Sequence, residues 1–363
     1  MRNRRAVTAG AVTIVLTLSA CGQDTDSGSD GLLKGGTVGI AMPTRASERW
    51  IADGKNVVED LRGLRYKTKL VFGDDDPNRQ VAQIRELIKQ GVDALVIAAI
   101  DNRSLNGVLQ QAAEAKIPVI SYDRLILGTK NVDYYASFDN EQVGRLQARY
   151  IIDKLGLDDG AGPFNVELFA GSNDDNNTTY FFSGAMKLLQ PYLDNRQLVV
   201  QSGQTKLSQV TTQRWDGATA RKRMDEILST SYGSGKVDGV LSPYDGMSIG
   251  ILAALKAAGY GSDSKPLPVV TGQDAELASV RSIIAGQQTQ TIYKDLRELA
   301  QIASRLVDDI LNDRRPTVNN TTTYDNGAKV VPAYLLQPTS VDKSNYEDIL
   351  VAGGFYTDAE LKK

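Results

Sequence analysis

Residues 80–124 read QVAQIRELIKQGVDALVIAAIDNRSLNGVLQQAAEAKIPVISYDR. Val81, Ile84, Leu87 and Ile88 recur at helical spacing over Gln80–Lys89. Ala94–Ala98 is then a continuous apolar run of strand length, the kind that is buried on both faces of a sheet. A second helical pattern covers Leu105–Ala115, and the short apolar run Pro118–Ser121 leads into Asp123-Arg124. Helix, strand, helix, strand with short connections is the pattern of a parallel sheet with helices on both faces.

The same alternation extends both ways. Upstream, Val38–Met42 and Lys69–Phe72 read as strands around a helix at Trp50–Leu64. Downstream of a strand at Tyr134–Phe138 a second series begins, with helices at Val143–Leu155, Tyr180–Leu193, Ala218–Leu228, Ser248–Ala258 and Leu277–Ala285. Strands at Asn165–Phe169, Leu198–Gln201, Gly239–Leu241, Pro268–Thr271 and Thr289–Tyr293 are interleaved with them, and Lys329–Leu335 is one more apolar strand. The expected fold is α/β: two Rossmann-like lobes, each built on a parallel sheet, with late segments crossing between them. The boundaries expected are 37–138 plus about 295–330 for the first lobe, and 139–294 plus about 331–363 for the second.

The N-terminus carries its own signal. Arg2, Arg4 and Arg5 precede the uncharged stretch Ala6–Leu18, and Leu18-Ser19-Ala20-Cys21 places the chain's only cysteine at a cleavage point. The apolar run is shorter than the roughly 20 residues a spanning helix needs. The pattern resembles that of a bacterial lipoprotein, which implies residues 1–20 as a signal peptide, Cys21 as the lipidated new N-terminus, and residues 21–36 as a flexible tether. Such a chain is extracytoplasmic and held at the membrane by lipid. Asp24, Asp26 and Asp30 in the tether lack the glycine and glutamate of a calcium loop.

Composition narrows the chemistry. There is no histidine in 363 residues, which removes the commonest general base, the commonest metal ligand and any Ser-His-Asp arrangement. Loss of Arg2, Arg4 and Arg5 takes the formal charge from −3 to −6, with no basic patch for nucleic acid. No cofactor motif stands out. Gly233-Ser234-Gly235-Lys236 lacks phosphate-loop spacing, and Asp74-Asp75-Asp76 before Pro77 suits helix capping better than a cation.

Ligands of open parallel sheets lie beyond the carboxyl ends of the strands. There the chain places Arg49-Trp50, Asp123-Arg124, Asp139-Asn140, Asp175-Asn176-Asn177, Tyr244-Asp245, Gln273-Asp274 and Lys294, and Trp215 lies near the start of a helix. Carboxylates, amides and cations suit a ligand crowded with hydroxyls, each of which donates and accepts, and an indole face suits the C–H face of a sugar ring. Any one of these aspartates or asparagines could instead be an N-cap, and either tryptophan could be core. Their repetition at one sheet edge is the argument for a site.

Eight blocks, in order, resemble the type I periplasmic sugar-binding proteins of ABC importers, in the xylose-binding and multiple-sugar-binding branch. They are Glu48-Arg49-Trp50, Ser121-Tyr122-Asp123-Arg124, Ser137-Phe138-Asp139-Asn140, Gly171 to Asn177, Gln213-Arg214-Trp215-Asp216, Ser242-Pro243-Tyr244-Asp245-Gly246, Gly272-Gln273-Asp274-Ala275 and Thr291-Ile292-Tyr293-Lys294. Ser-Pro-Tyr-Asp-Gly is closer to the multiple-sugar branch. The resemblance implies two lobes joined by three crossovers with one monosaccharide clamped between them. It implies Trp50 and Trp215 stacked on opposite sugar faces, with Arg49 carried alongside. Asp123 and Arg124 would bind from the first lobe, and Asn140, Asn177 (or Asn176 in that register), Asp245 and Asp274 from the second, with Lys294 at the hinge. Implied partners are a galactose-, glucose-, arabinose- or xylose-class sugar and ABC permease subunits. Two other readings remain: a sugar sensor presenting its ligand to a membrane kinase, and a sugar-processing enzyme with Asp123 and Asp274 as acid and base.

Overall fold

The computed structural model describes residues 35–233 and 235–362. The segment expected to be a signal peptide, Cys21, almost all of the expected tether, Ser234 and Lys363 lie outside the described residues. Among the described residues no helix is long and apolar enough to cross a membrane.

The first lobe opens with β1 (Thr37–Met42), α1 (Glu48–Gly63), β2 (Lys67–Phe72), α2 (Pro77–Lys89), β3 (Ala94–Ile97), α3 (Asn106–Glu114), β4 (Val119–Tyr122) and β5 (Tyr134–Phe138). The second holds α4 (Asn140–Leu155), β6 (Phe164–Leu168), α5 (Asn177–Asp194), β7 (Leu198–Val199), α6 (Leu207–Val210), α7 (Gly217–Ser231), β8 (Gly239–Leu241), α8 (Asp245–Ala257), β9 (Val269–Val270), α9 (Leu277–Ile284) and β10 (Gln290–Tyr293). Then come α10 (Leu296–Leu311), β11 (Ala333–Leu336), β12 (Thr339–Asp342) and α11 (Asp358–Leu361).

A six-stranded parallel sheet runs β11-β5-β4-β3-β1-β2, and a four-stranded parallel sheet runs β7-β6-β8-β9. β10 pairs antiparallel with β12, and backbone bonds from Thr289 to Val270 and from Ile292 to Gly272 attach it beside β9. The chain therefore passes between sheets after β5, after β10 and after β11. Strand order reverses between β1 and β3 and again between β6 and β8, the two crevices where open α/β sheets take ligands.

The apolar run 94–98 is buried as its pattern requires. Leu95 and Ile97 face Ile84, Leu87 and Leu109 on one side, whereas Ala94 and Val96 face Val57, Leu61, Leu299 and Val307 on the other. In the second lobe α4 and α5 cross with backbones in contact. A Cβ on Gly144 would lie 1.9 Å from the Phe181 carbonyl oxygen, and one on Gly184 2.1 Å from that of Glu141. That close crossing sets Asn177 and Phe181 of α5 beside Asn140 of α4.

The strand expected at Lys329–Leu335, and placed with the second lobe, belongs to the first. β11 pairs in parallel with β5, Ala333 opposite Tyr135 and Leu336 opposite Phe138. An apolar strand is equally at home at either sheet edge; here the open edge of β5 takes it. Several helices also begin earlier than their apolar patterns, at Asn177 and Asp245, because polar first-turn residues carry no periodic signal.

Candidate functional site

Between the two sets of strand ends lies a cleft of about 760 Å³. From the first lobe it is lined by Arg49 and Trp50 on the first turn of α1, by Asp75, and by Asp123 and Arg124 just beyond β4. From the second it is lined by Asp175, Asn177, Phe181, the turn 213–217, Tyr244, Gln273 and Asp274, and Lys294 follows β10 at a crossover.

Arg49 is the centre of the charge network. Its Nε donates to Asp53 Oδ2 at 3.2 Å, one terminal nitrogen pairs with Asp123, and the other reaches Asp274 of the opposite lobe at 3.1 Å. Lys294 Nζ sits 2.9 Å from Asp274 and 3.9 Å from Asp123. Burial opposes the charge on Arg49, yet Asp123, Asp274 and Asp53 together hold its pKa well above the ordinary value. Burial likewise opposes ionisation of Asp123, but Arg49, Lys294 and Arg124 hold its carboxyl below the usual range. A second cross-lobe pair joins Arg124 Nε to Asp175 Oδ2 at 2.9 Å. Burial pushes Asp175 up, with Arg124 and the Asn177 backbone N–H countering.

Backbone conformation aims these groups. Asp123 has φ 58° and Asp274 φ 88°, in the left-handed region that non-glycine residues avoid. The strained turn at Asp123 is secured by its own carbonyl, which accepts from Tyr135 Oη (2.6 Å), Ser137 Oγ (3.0 Å) and Asn177 Nδ2 (3.1 Å). Arg214 and Trp215 are both left-handed, at φ 56° and 58°, so the short turn before α7 turns the indole into the cleft.

The two tryptophans are held differently. Trp50 is 5% exposed, belongs to the first-lobe core, and has the guanidinium carbons of Arg49 and Arg124 at 4.6 and 5.1 Å from its ring centre. Trp215 is half-buried, edge-on to Phe181 (6.1 Å, 70°) and Tyr244 (6.2 Å, 85°). A Cβ on Gly171 would fall 2.0 Å from the Trp215 ring, so only glycine lets that ring lie where it does. The Trp215 indole N–H is buried without a hydrogen-bond partner, as is Gln273 Oε1.

The structure brings Arg49, Trp50, Asp123, Arg124, Asn177, Trp215, Asp274 and Lys294 to one cleft, and Asn177, not Asn176, is the asparagine that lines it. Asn140 and Asp245 stand one layer behind and do not line it. Asn140 Nδ2 donates to Asn177 Oδ1 at 2.9 Å and is 1% exposed. Asp245, the first residue of α8, turns back toward β10: its carboxylate accepts from Gln288 Nε2 (2.8 Å), Thr291 Oγ1 (2.9 Å) and the Glu276 N–H (2.9 Å). Burial and then Glu276 push its carboxyl well up.

Sequence reading placed Asp175, Tyr244 and Gln273 at the strand ends without giving them a role in the site, and it did not select Phe181 or Gln213. Phe181 was findable, since it lies four residues past Asn177 on the same helix face. Tyr244 lines the cleft with its ring, while its hydroxyl donates to Glu276 at 2.5 Å. Burial pushes Glu276 up to about 7, with the Tyr244 bond opposing and Asp274 adding to the rise. Asp76 caps α2 through the N–H groups of Asn78 and Arg79, and Asp74 pairs with Arg45 and Arg79. Among the described residues no cluster of acidic side chains is arranged to hold a metal ion.

The arrangement offers acceptors and donors at fixed positions beside aromatic rings. Arg49, Lys294 and Arg124 hold the Asp123 carboxyl below the usual range, which does not suit the acid role that the sugar-processing reading gives it.

The family model described as "Periplasmic binding protein domain" matches residues 38–315. The chain is 58% identical over 326 residues to the multiple sugar-binding periplasmic protein SbpA of Azospirillum brasilense, covering 90% of this chain and 91% of that one. It is 56% identical over 327 residues to the multiple sugar-binding periplasmic receptor ChvE of Rhizobium radiobacter, covering 90% and 92%. Among solved structures, an ABC transporter solute-binding protein from Clostridium phytofermentans with bound β-D-glucose superposes with a TM-score of 0.86. It is 42% identical and covers 90% of this chain and 99% of that one.

Proposed function

The chain belongs to the periplasmic sugar-binding proteins of the multiple-sugar-binding family, which are solute-binding proteins and not enzymes, and we propose that it captures one aldose between its lobes and hands it to an ABC importer. The observation that carries this reading is the cleft itself. Carboxylates and cations from both lobes converge there next to Trp50, Phe181 and Trp215, with donor and acceptor capacity unspent at the Trp215 N–H and Gln273 Oε1. In this proposal hydroxyls bond to Asp123, Arg124, Asn177 and Asp274, and the indoles cover the ring. Asn140 and Asp245 support Asn177 and the 274–276 turn from behind. Sugar favours the closed arrangement because only that form engages both half-sites.

Glucose is the first sugar to test, since a 42% identical protein holds it. Calorimetric titration of residues 22–363 with D-glucose, D-galactose, L-arabinose and D-xylose should give saturable binding for at least one of them. No heat and no thermal stabilisation with any aldose would end this reading.

The N-terminal pattern ending at Cys21 supports a lipid anchor on the outer face of the cell membrane, with residues 22–36 as the tether that keeps the clamp near its permease. Tritiated fatty acid fed to expressing cells should label the chain, and Cys21→Ser should abolish the label; label retained in that variant would refute the anchor.

A further inference from the structure

Asp53 lies one helical turn past Arg49 on α1, wholly buried, and does not line the cleft. Its Oδ2 accepts from Arg49 Nε, and its Oδ1 accepts from the hydroxyl of Tyr122, which is also wholly buried at the end of β4. The remaining guanidinium nitrogens face Asp123 of the first lobe and Asp274 of the second. A guanidinium is planar with its N–H directions fixed relative to one another, so securing Nε decides where both terminal nitrogens point.

We propose that Asp53 is the positioning residue of the clamp: anchored by Tyr122, it aims Arg49 so that one cation bridges the carboxylates of both lobes at the ligand site. This rests on the sugar-binding reading and adds to it a residue that touches no ligand.

The position of Asp53 is not what stability alone would select. Arg49, Lys294 and Arg124 supply three positive charges against the four carboxylates Asp53, Asp123, Asp175 and Asp274, so the cluster holds more carboxylates than cations away from water. Burial pushes the Asp53 carboxyl up to about 6, with Arg49 and the Tyr122 hydroxyl opposing and Asp123 adding to the rise. The folded chain therefore keeps a proton there that the unfolded chain has lost, and stability from this group falls as pH rises from about 4 to 6. The other elements on α1 bring little charge to the spot. α10 brings Arg305 toward Asp60, two turns further on, β1 has no charged residue, and Lys69 of β2 donates to Gln90. An asparagine would keep the shape and relieve the charge, at the expense of the hold on Arg49.

The test is calorimetric titration of the wild type and Asp53→Asn with D-glucose at pH 7.5 and pH 5.0, beside thermal melts. Asp53→Asn should bind at least tenfold more weakly at pH 7.5 while its melting midpoint stays level or rises. Wild-type affinity should drop severalfold at pH 5.0, and the variant should lose most of that drop, the part it keeps belonging to Glu276, which faces Asp274 and Arg49 and titrates near 7 in both proteins. Equal affinity at pH 7.5 overturns the proposal, as does a loss that tracks a lower midpoint and keeps the wild-type pH profile. Should Asp53→Asn fail to fold, Tyr122→Phe leaves Asp53 charged but unanchored, and at least threefold weaker binding is expected; unchanged binding there overturns it. A wild type that binds no aldose defeats the sugar reading and this one with it, whereas a normal wild type beside an unimpaired variant defeats only the role of Asp53.

Discussion

The two walls of the cleft are built on different principles. In the first lobe the buried charges at the cleft are partnered: Arg49 with three carboxylates, Asp53 with Tyr122, Arg124 with Asp175 and the Ala99 carbonyl. Of its left-handed residues beside the cleft, Asp74, Asp75 and Asp123, the last is secured by three hydrogen bonds to one carbonyl, and Trp50 is anchored in the core. The wall of the second lobe presents consecutive left-handed residues at 214–215 and 274–275, a half-buried indole, and two cleft-lining residues, Trp215 and Gln273, with a buried polar atom that lacks a partner. Residues held in such backbone regions carry about 1–3 kcal/mol of strain each. Buried polar atoms are normally paired, and at the cleft only those of Trp215 and Gln273 are left open. Both walls carry left-handed turns, but only the second leaves polar atoms open at the cleft.

Substitutions can break or sharpen that contrast. The largest effect is expected at Asp274, whose carboxylate meets both Arg49 and Lys294. Asp274→Asn should weaken sugar binding about a hundredfold, close to 3 kcal/mol, by calorimetry; under tenfold, the cross-lobe bond would not govern affinity. Next, Trp215→Ala should weaken binding at least tenfold, or about 1.5–3 kcal/mol, with little change in melting temperature. Trp50→Ala should lower folding stability itself by about 3 kcal/mol in denaturant melts. Equal stability losses would erase the distinction between the walls. Gly171→Ala, which pushes a methyl into the Trp215 ring, should weaken binding roughly fivefold, about 1 kcal/mol; an unchanged titration would show that the indole can shift freely.

The smallest effect concerns pH. Glu276 keeps its proton up to about 7 when folded, against an ordinary value of 4.5. Between those values the folded chain binds the extra proton, so its contribution to stability is present at low pH and is lost as pH rises through 7. Glu276→Gln should therefore gain about 1 kcal/mol at pH 8 relative to wild type and nothing at pH 4. Equal gains at both pH values would remove Glu276 as the source.

Much of this was legible in residue order. The alternation around 80–124 predicts a doubly covered parallel sheet, and Leu95 and Val96 do face opposite helix layers. Asp123-Arg124 and Gln273-Asp274 announce themselves because they follow apolar strands. Asp245 follows one too, at Gly239–Leu241, and still points away. Its direction is set by Gln288 and Thr291, some forty residues later, which no local pattern reports. β11 shows the same limit, since an apolar strand does not name its sheet.

By itself the sequence determined the alternating α/β build, the absence of histidine chemistry, and the polar and aromatic residue types gathered at the strand ends. Those follow from local periodicity and composition. Only the tertiary structure decided which carboxylates face the cleft and which hold it from behind. Arg49 and Asp274 are 225 residues apart in the chain. Their meeting depends on two sheets, three crossovers and a few left-handed backbone torsions that side-chain patterns do not encode.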